Sequence, residues 1–284
     1  MEIKSLGKTD FDIVFEAFNR AFADYEIQLN KEQLQMMLKR RGFDPELSFA
    51  AFEKGGIVAF TFNGIGNFGG MPTAYDTGTG TLKEYRGKGL ATEVFKYSIP
   101  YLKETGIKQY LLEVLQHNTK AVSVYRNLGF EVIREFNYFM AENEEVRNTI
   151  NRPFVACIIK QINNIGEYDS IPEFWDFTPS WQNSFESIQR AAEGFVCLGA
   201  FIEDKLVGYC VFEPASGDIT QIAVDKRYRR RGIASVLLHE MIKSNQNDTV
   251  KIINTDILSP SITDFLKARN IDIQGKQFEM IKQL

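Results

Sequence analysis

Histidine and cysteine are scarce in this chain. Its 284 residues include two histidines, His117 and His239, and three cysteines, Cys157, Cys197 and Cys210. Two histidines are too few for a histidine-based metal site. The cysteines lack metal-like spacing and sit inside apolar runs, so they read as reduced core residues. No stretch approaches the ~18 consecutive apolar residues of a membrane-spanning helix, and MEIKSLGKTD has no apolar core of a secretory signal. A cytoplasmic protein without metal is the expectation. The net charge of −4 argues against general nucleic-acid binding. The basic cluster Lys226, Arg227, Arg229, Arg230 and Arg231 is local and suits a small phosphorylated ligand.

What is present is an ordinary globular composition, 44% hydrophobic and 25% charged. The length is generous for one domain and comfortable for two of about 140 residues. An internal repeat supports two. In Thr79 to Tyr101 a strand-like run turns through Arg86-Gly87-Lys88-Gly89-Leu90-Ala91 into a helical pattern, and Ile222 to Ile242 repeats this with Arg229-Arg230-Arg231-Gly232-Ile233-Ala234. Arg229 follows Arg86 by 143 positions, about half the chain. A strand-to-helix junction attracts anions, because the first helical N–H groups lack partners and the helix dipole adds positive charge. Glycine lets a phosphate approach those amides, and arginine adds charge-assisted hydrogen bonds. The Walker pattern fails, since Leu82 stands where its first glycine belongs and Gly89 follows Lys88. The dinucleotide fingerprint fails at Lys83 and Thr92.

The remaining pattern, Arg-x-x-Gly-x-Ala after a strand, resembles the acetyl-coenzyme A pyrophosphate loop of the GCN5-related N-acetyltransferases (GNAT). A second set of residues carries the same resemblance: Glu113-Val114, Asn118, Ala121, Tyr125 and Gly129-Phe130 match the family pattern LEV, N, A, Y and GF. The resemblance implies an α/β (α+β) fold of two tandem GNAT domains, each a mixed, mostly antiparallel sheet flanked by helices. Residues 1–145 would form the catalytic domain, 146–153 a linker, and 154–284 a second, GNAT-like domain. It also implies acetyl transfer from acetyl-coenzyme A to a small amine by direct attack, in a monomer or homodimer. In the family the asparagine contacts the pantetheine region and the tyrosine protonates the leaving thiolate, which makes Tyr125 the candidate acid; Glu113 is the candidate base. The coenzyme would lie along Gly80, Thr81 and Leu82, the loop Arg86, Gly87, Lys88, Gly89, Leu90 and Ala91, and Asn118. In the second half its contacts would be Ala223, Val224, Arg229, Arg230, Arg231, Gly232, Ile233 and Ala234. The family's acceptor loop falls on Tyr25, Glu26 and Gln28.

Periodicity places helices from Thr9-Asp10 and from Asn30 to Arg41, with Asn30 as N-cap, and a hairpin over Leu47–Phe52 and Gly56–Asn63. Gly64 to Gly70 reads equally as strand or flexible loop. Gly78 and Gly80 would admit another backbone. Pro100 should end the helix after the loop by Lys103. Asn118 is a candidate N-cap as well as a ligand contact, and Glu131–Glu142 reads as one or two strands. In the second half, Phe154–Ile162 opens a strand, two helices fall between Gly166 and Glu193, and a hairpin turns at Glu203-Asp204-Lys205. Phe174, Trp175, Phe177 and Trp181 form an aromatic cluster, either core or pocket wall. Aligning the last helices puts Leu266 where Tyr125 stands and Ser259 at Asn118, which leaves the second half without an equivalent acid and with a structural, acceptor-shaping or degenerate role. An acyl-coenzyme A sensor or two-domain interaction module remains the alternative to an enzyme.

Overall fold

The computed structural model describes residues 1–24, 28–149 and 157–284. Tyr25 and Glu26, and residues 150–153 of the expected linker, lie outside the described residues, as do 154–156 of the expected strand. The first half begins with β1 (Glu2–Ser5) and α1 (Phe11–Ala21), which Asp10 caps by accepting from the Asp12 N–H. Helix α2 (Lys31–Arg41) opens on a reciprocal Asn30/Gln33 capping box and ends at Gly42, φ 79°. Strands β2 (Phe49–Glu53) and β3 (Gly56–Phe68) turn at Lys54 and Gly55, both at positive φ. Gly64–Phe68 continues β3, and Gly69 and Gly70, at φ 60° and 79°, return the chain into β4 (Met71–Thr81).

Helix α3 (Leu90–Glu104) does not stop at its proline. Pro100 lies inside it on an exposed face, and the helix ends at Glu104, one residue from the expected end at Lys103. Then follow β5 (Gln109–Leu115), α4 (Thr119–Asn127), a single strand β6 (Glu131–Glu142) and α5 (Asn143–Arg147), which takes the first residues of the expected linker. The second half comprises β7 (Ile158–Gln161), short α6 (Ile171–Phe174) and α7 (Phe185–Arg190), β8 (Val196–Ile202) and β9 (Lys205–Glu213). It continues with β10 (Asp218–Val224), α8 (Ile233–Ser244), β11 (Thr249–Asp256), α9 (Pro260–Lys267) and β12 (Asp272–Gln283).

The described strands form one sheet in the order β1-β2-β3-β4-β5-β12-β6-β11-β10-β9-β8-β7. The halves exchange their last strands across its centre. β12, at the end of the second half, lies antiparallel on β5 of the first, while β6 lies antiparallel on β11 of the second. The two exchanged strands also pair with each other, from Asp272↔Met140 to Ile281↔Glu131. Packing follows the exchange. Phe139, Ala141 and Val146 enter the core built around α8, whereas Met280 enters the core beneath α3 and α4. Each large apolar side chain buried in this way contributes about 1.5–3 kcal/mol.

Among the described residues, buried ion pairs span the halves. Glu279 on β12 is fully buried and chelated by Arg134 of β6, whose Nη2 donates to Oε1 at 2.7 Å and whose Nε donates to Oε2 at 2.5 Å. Burial pushes the Glu279 carboxyl up, and Arg134 opposes that. Arg40 of α2 reaches Asp218 of β10 at 2.9 Å and also donates to the Gln182 carbonyl at 2.9 Å. Removing one partner of such a pair strands a charge away from water. Arg134→Met should therefore lower unfolding stability by about 3–5 kcal/mol, and adding Glu279→Met should recover most of that loss. Urea denaturation of both variants checks this; equal losses would mean that the seam does not depend on the pair.

Candidate active site

The two glycine loops take the same backbone shape. Gly89 caps α3 at φ 77° and Gly232 caps α8 at φ 86°, both in the left-handed region that glycine enters without strain. Gly87, φ 77°, is matched in the second copy by Arg230 at φ 61°. A side chain at Gly87 or Gly89 would point into open space. The amides are thus uncovered from outside, as anion binding at a helix start requires. The first arginine of each motif does a different job from the one its pattern suggests. Arg86 donates to the carbonyls of Ala21 (2.8 Å) and Thr81 (3.2 Å) and to Asp24 (3.0 Å), which holds the Asp24 carboxyl below its ordinary value. Arg229 repeats this with Phe174 (2.8 Å), Val224 (3.1 Å) and Asp176 (2.9 Å). Both brace the loop against the end of an earlier helix, α1 for Arg86 and α6 for Arg229.

Below each loop the sheet splits. β4 and β5 run parallel only from Thr73↔Gln109 to Tyr75↔Leu111, and β10 pairs with β11 only at Asp218↔Lys251. A bulge in each first strand, at Thr77 and at Thr220, marks the start of the divergence. The backbone beyond it faces a widening gap that can pair with an extended ligand. Gly80 was expected to admit such a ligand, but its missing side chain serves packing. A Cβ there would lie 2.5 Å from the Phe60 ring and 3.0 Å from Ala21, and one at Gly78 would make only ordinary contacts with Phe18 and Phe62.

Tyr125 and Glu113 flank the first split from opposite faces. On the α4 face, the Tyr125 hydroxyl donates to Asp76 Oδ2 at 3.1 Å, and its ring packs edge-on against Phe130. Asp76 also accepts from the Gly78 N–H and the Thr79 hydroxyl, both at 2.9 Å. Burial, the largest influence, raises its carboxyl from the ordinary range. The only advance signal of Asp76 was an aspartate inside a strand, where that residue is depleted. Asn118 caps α4 by accepting from the Ala121 N–H at 3.2 Å.

On the other face, Glu113 Oε2 accepts from the Tyr75 hydroxyl at 3.0 Å and from the side-chain amide of Gln182, a residue of the second half. Glu113 Oε1 is buried without a described partner. Trp181 stacks on Tyr75, centroids 5.2 Å apart and planes 6° apart, and donates to the Arg41 carbonyl at 3.0 Å. Arg41 in turn donates to the carbonyl of the bulge residue Thr77 at 3.1 Å. The aromatic cluster therefore divides: Trp181 is buried against the first half, while Phe174, Trp175 and Phe177 line a cavity of about 410 Å³ in the second. That cavity lies between β10 and β11, under Arg229–Ser235 and beside α9. Leu266, buried to 1% exposure, occupies on α9 the place of Tyr125.

A family model described as "Acetyltransferase (GNAT) family" matches residues 11–130 and 162–255. The chain belongs to this family. A GNAT relative, N-alpha-acetyltransferase MAK3 of Arabidopsis thaliana, is 29% identical over 131 residues, covering 45% of this chain and 69% of that one. Mycothiol acetyltransferase of Thermobifida fusca is 34% identical over 122 residues, covering 40% of this chain and 38% of its own length. Among solved structures, a tandem GNAT protein from the clavulanic acid biosynthesis pathway superposes over 99% of this chain and 98% of that one, with TM-score 0.73 at 13% identity. A GCN5-related N-acetyltransferase from Sphaerobacter thermophilus gives TM-score 0.69 at 13% identity, covering 99% and 95%. At these identities the structures speak for the tandem GNAT fold alone.

The packing of Gly80 yields a direct check. Gly80→Ala should cost about 1–3 kcal/mol through overpacking against Phe60. A variant of unchanged stability in urea would mean that packing does not require glycine there.

Proposed function

We propose that the first half transfers an acetyl group from acetyl-coenzyme A to the primary amine of a small acceptor. The observation that carries this reading is the pair Tyr125 and Glu113, set on opposite faces of the split where β4 leaves β5. Acetyl-coenzyme A would lay its pyrophosphate on the amides from Gly87 to Ala91, its pantetheine arm along Gly80 to Leu82, and its thioester at the bulge. Holding both substrates there makes a bimolecular step effectively unimolecular. The buried Glu113 Oε1 has capacity to accept a proton from the amine, directly or through water, and a neutral amine can then attack the carbonyl carbon. Bulge amides would stabilise the oxyanion. As the C–S bond breaks, its electron pair goes to sulfur, which takes the Tyr125 proton, and the acylated nitrogen gives up its extra proton to water.

The second half supports a companion reading. Its cavity lies beneath Arg229–Ala234 and beside Ala223 and Val224, so it suits the same coenzyme, but Leu266 supplies no proton. Binding without turnover, as in an acyl-coenzyme A sensor, fits that half. The three cysteines are unpaired thiols, which suits a reducing, cytoplasmic setting.

Thiol release from acetyl-coenzyme A over a panel of amines tests the activity. Tyr125→Phe should lower kcat by about 100-fold and leave KM for acetyl-coenzyme A within about twofold; unchanged turnover would remove Tyr125 from the mechanism. Calorimetry counts the sites. Gly89→Val and Gly232→Val force a β-branched residue into the left-handed region, and each should abolish coenzyme A binding at its own loop only. A single site insensitive to Gly232→Val would confine binding to the first half.

A further inference from the structure

The halves can be superposed through their bulges. Asn63↔Asp76 is the pair just before the first bulge, and Phe212↔Ile219 is the pair in the same place before the second. One pair earlier in the parallel ladders, Tyr75↔Leu111 corresponds to Asp218↔Lys251, which puts Val250 at the position of Tyr110. With Leu266 at Tyr125, four equivalences follow, and all have the same sense. Asp76, Tyr125, Tyr110 and Asn63 carry polar groups on one face of the first half's split. Ile219, Leu266, Val250 and Phe212 make that face of the second half apolar and buried.

In the first half the four form two hydrogen-bonded pairs. Tyr125 donates to Asp76, and Tyr110 donates to Asn63, which sits opposite Asp76 across the ladder. A sheet face can be filled with apolar side chains, as the second half shows. The fold therefore does not require polar groups here. They cluster where Tyr125 would present its hydroxyl to the thioester sulfur.

We infer that Asp76 is the positioning residue for Tyr125: its carboxyl, fixed by the Gly78 N–H and the Thr79 hydroxyl, holds the phenol over the mouth of the split. This rests on the acid role proposed for Tyr125. A phenol on a short helix can adopt several rotamers, and tethering removes that freedom before the thiolate forms. Burial, the largest influence, raises the Asp76 carboxyl, while the hydrogen bonds from Thr79, Tyr125 and Gly78, and then Arg41 from α2, oppose that. Tyr125 has a single hydroxyl proton, so its O–H turns from Asp76 to sulfur as the thiolate forms, which leaves a phenolate. Water then returns a proton to the phenolate.

The test uses the full chain, acetyl-coenzyme A and hydroxylamine at high concentration, a small neutral nucleophile that needs no acceptor pocket, with thiol release as the readout. Asp76→Asn is compared with wild type, Tyr125→Phe and the double variant. The expected result is a kcat lowered by roughly tenfold or more in Asp76→Asn with KM for acetyl-coenzyme A within about twofold, and no further loss when Asp76→Asn is added to Tyr125→Phe. Equal losses from Asp76→Asn in both backgrounds, or a rise in KM with kcat unchanged, would overturn the inference and leave Tyr125 as the acid. A Tyr125→Phe variant as fast as wild type would instead overturn the acid role, and the positioning role with it.

Discussion

The structure depends on the exchange of β6 and β12. After its last long helix each half has one strand, and that strand completes the other half's sheet. Without β12, β5 would present an open edge beside the split, and open edges invite uncontrolled pairing. The pairing of β12 with β6 closes both edges at once and makes the central ladder common to two cores. The buried Arg134–Glu279 pair fixes the register of that ladder. A slip of one residue would turn Glu279 to the opposite face and strand it there.

Much of this was legible from particular residues. The Asn30 cap, the two hairpins, the paired glycine loops and the α4 cap at Asn118 are local features whose chemistry lies within a few positions of sequence. The exchange was not legible, because alternation in EVIREFNYFMAE reports a strand and one buried face but names no partner. Pro100 marked the end of α3 to within one residue of the expected range, and the helix carries it because α3 buries Leu90, Val94, Phe95 and Leu102 on the sheet. Spacing located Arg86 and Arg229 but not the direction of their side chains, and carbonyls at the ends of α1 and α6 claim them.

The two splits show how one backbone serves different chemistry. Their bulges, loop glycines and bracing arginines agree, so both splits share one backbone shape. They differ in what faces the gap. Fold and ligand shape belong to the backbone, whereas reactivity belongs to a few side chains placed on it. Asp76 was overlooked for that reason: its neighbours in sequence, Tyr75 and Thr77, face other surroundings, and its partner Tyr125 lies 49 positions away.

The second half also builds the surroundings of the first split. Besides β12, it contributes the segment Trp181–Asn183, whose two sides touch both splits. Trp181 covers Tyr75 and Gln182 holds Glu113, while Asn183 lines the second cavity and accepts from Arg40 at 3.2 Å. The Glu113 carboxylate is thus held by an amide from the other half. A first half cut away on its own would lose the strand beside β5, the aromatic cover of Tyr75 and the donor to Glu113 together. Of the described donors to Glu113, Tyr75 belongs to the first half and Gln182 to the second, so the setting of that carboxylate depends on both.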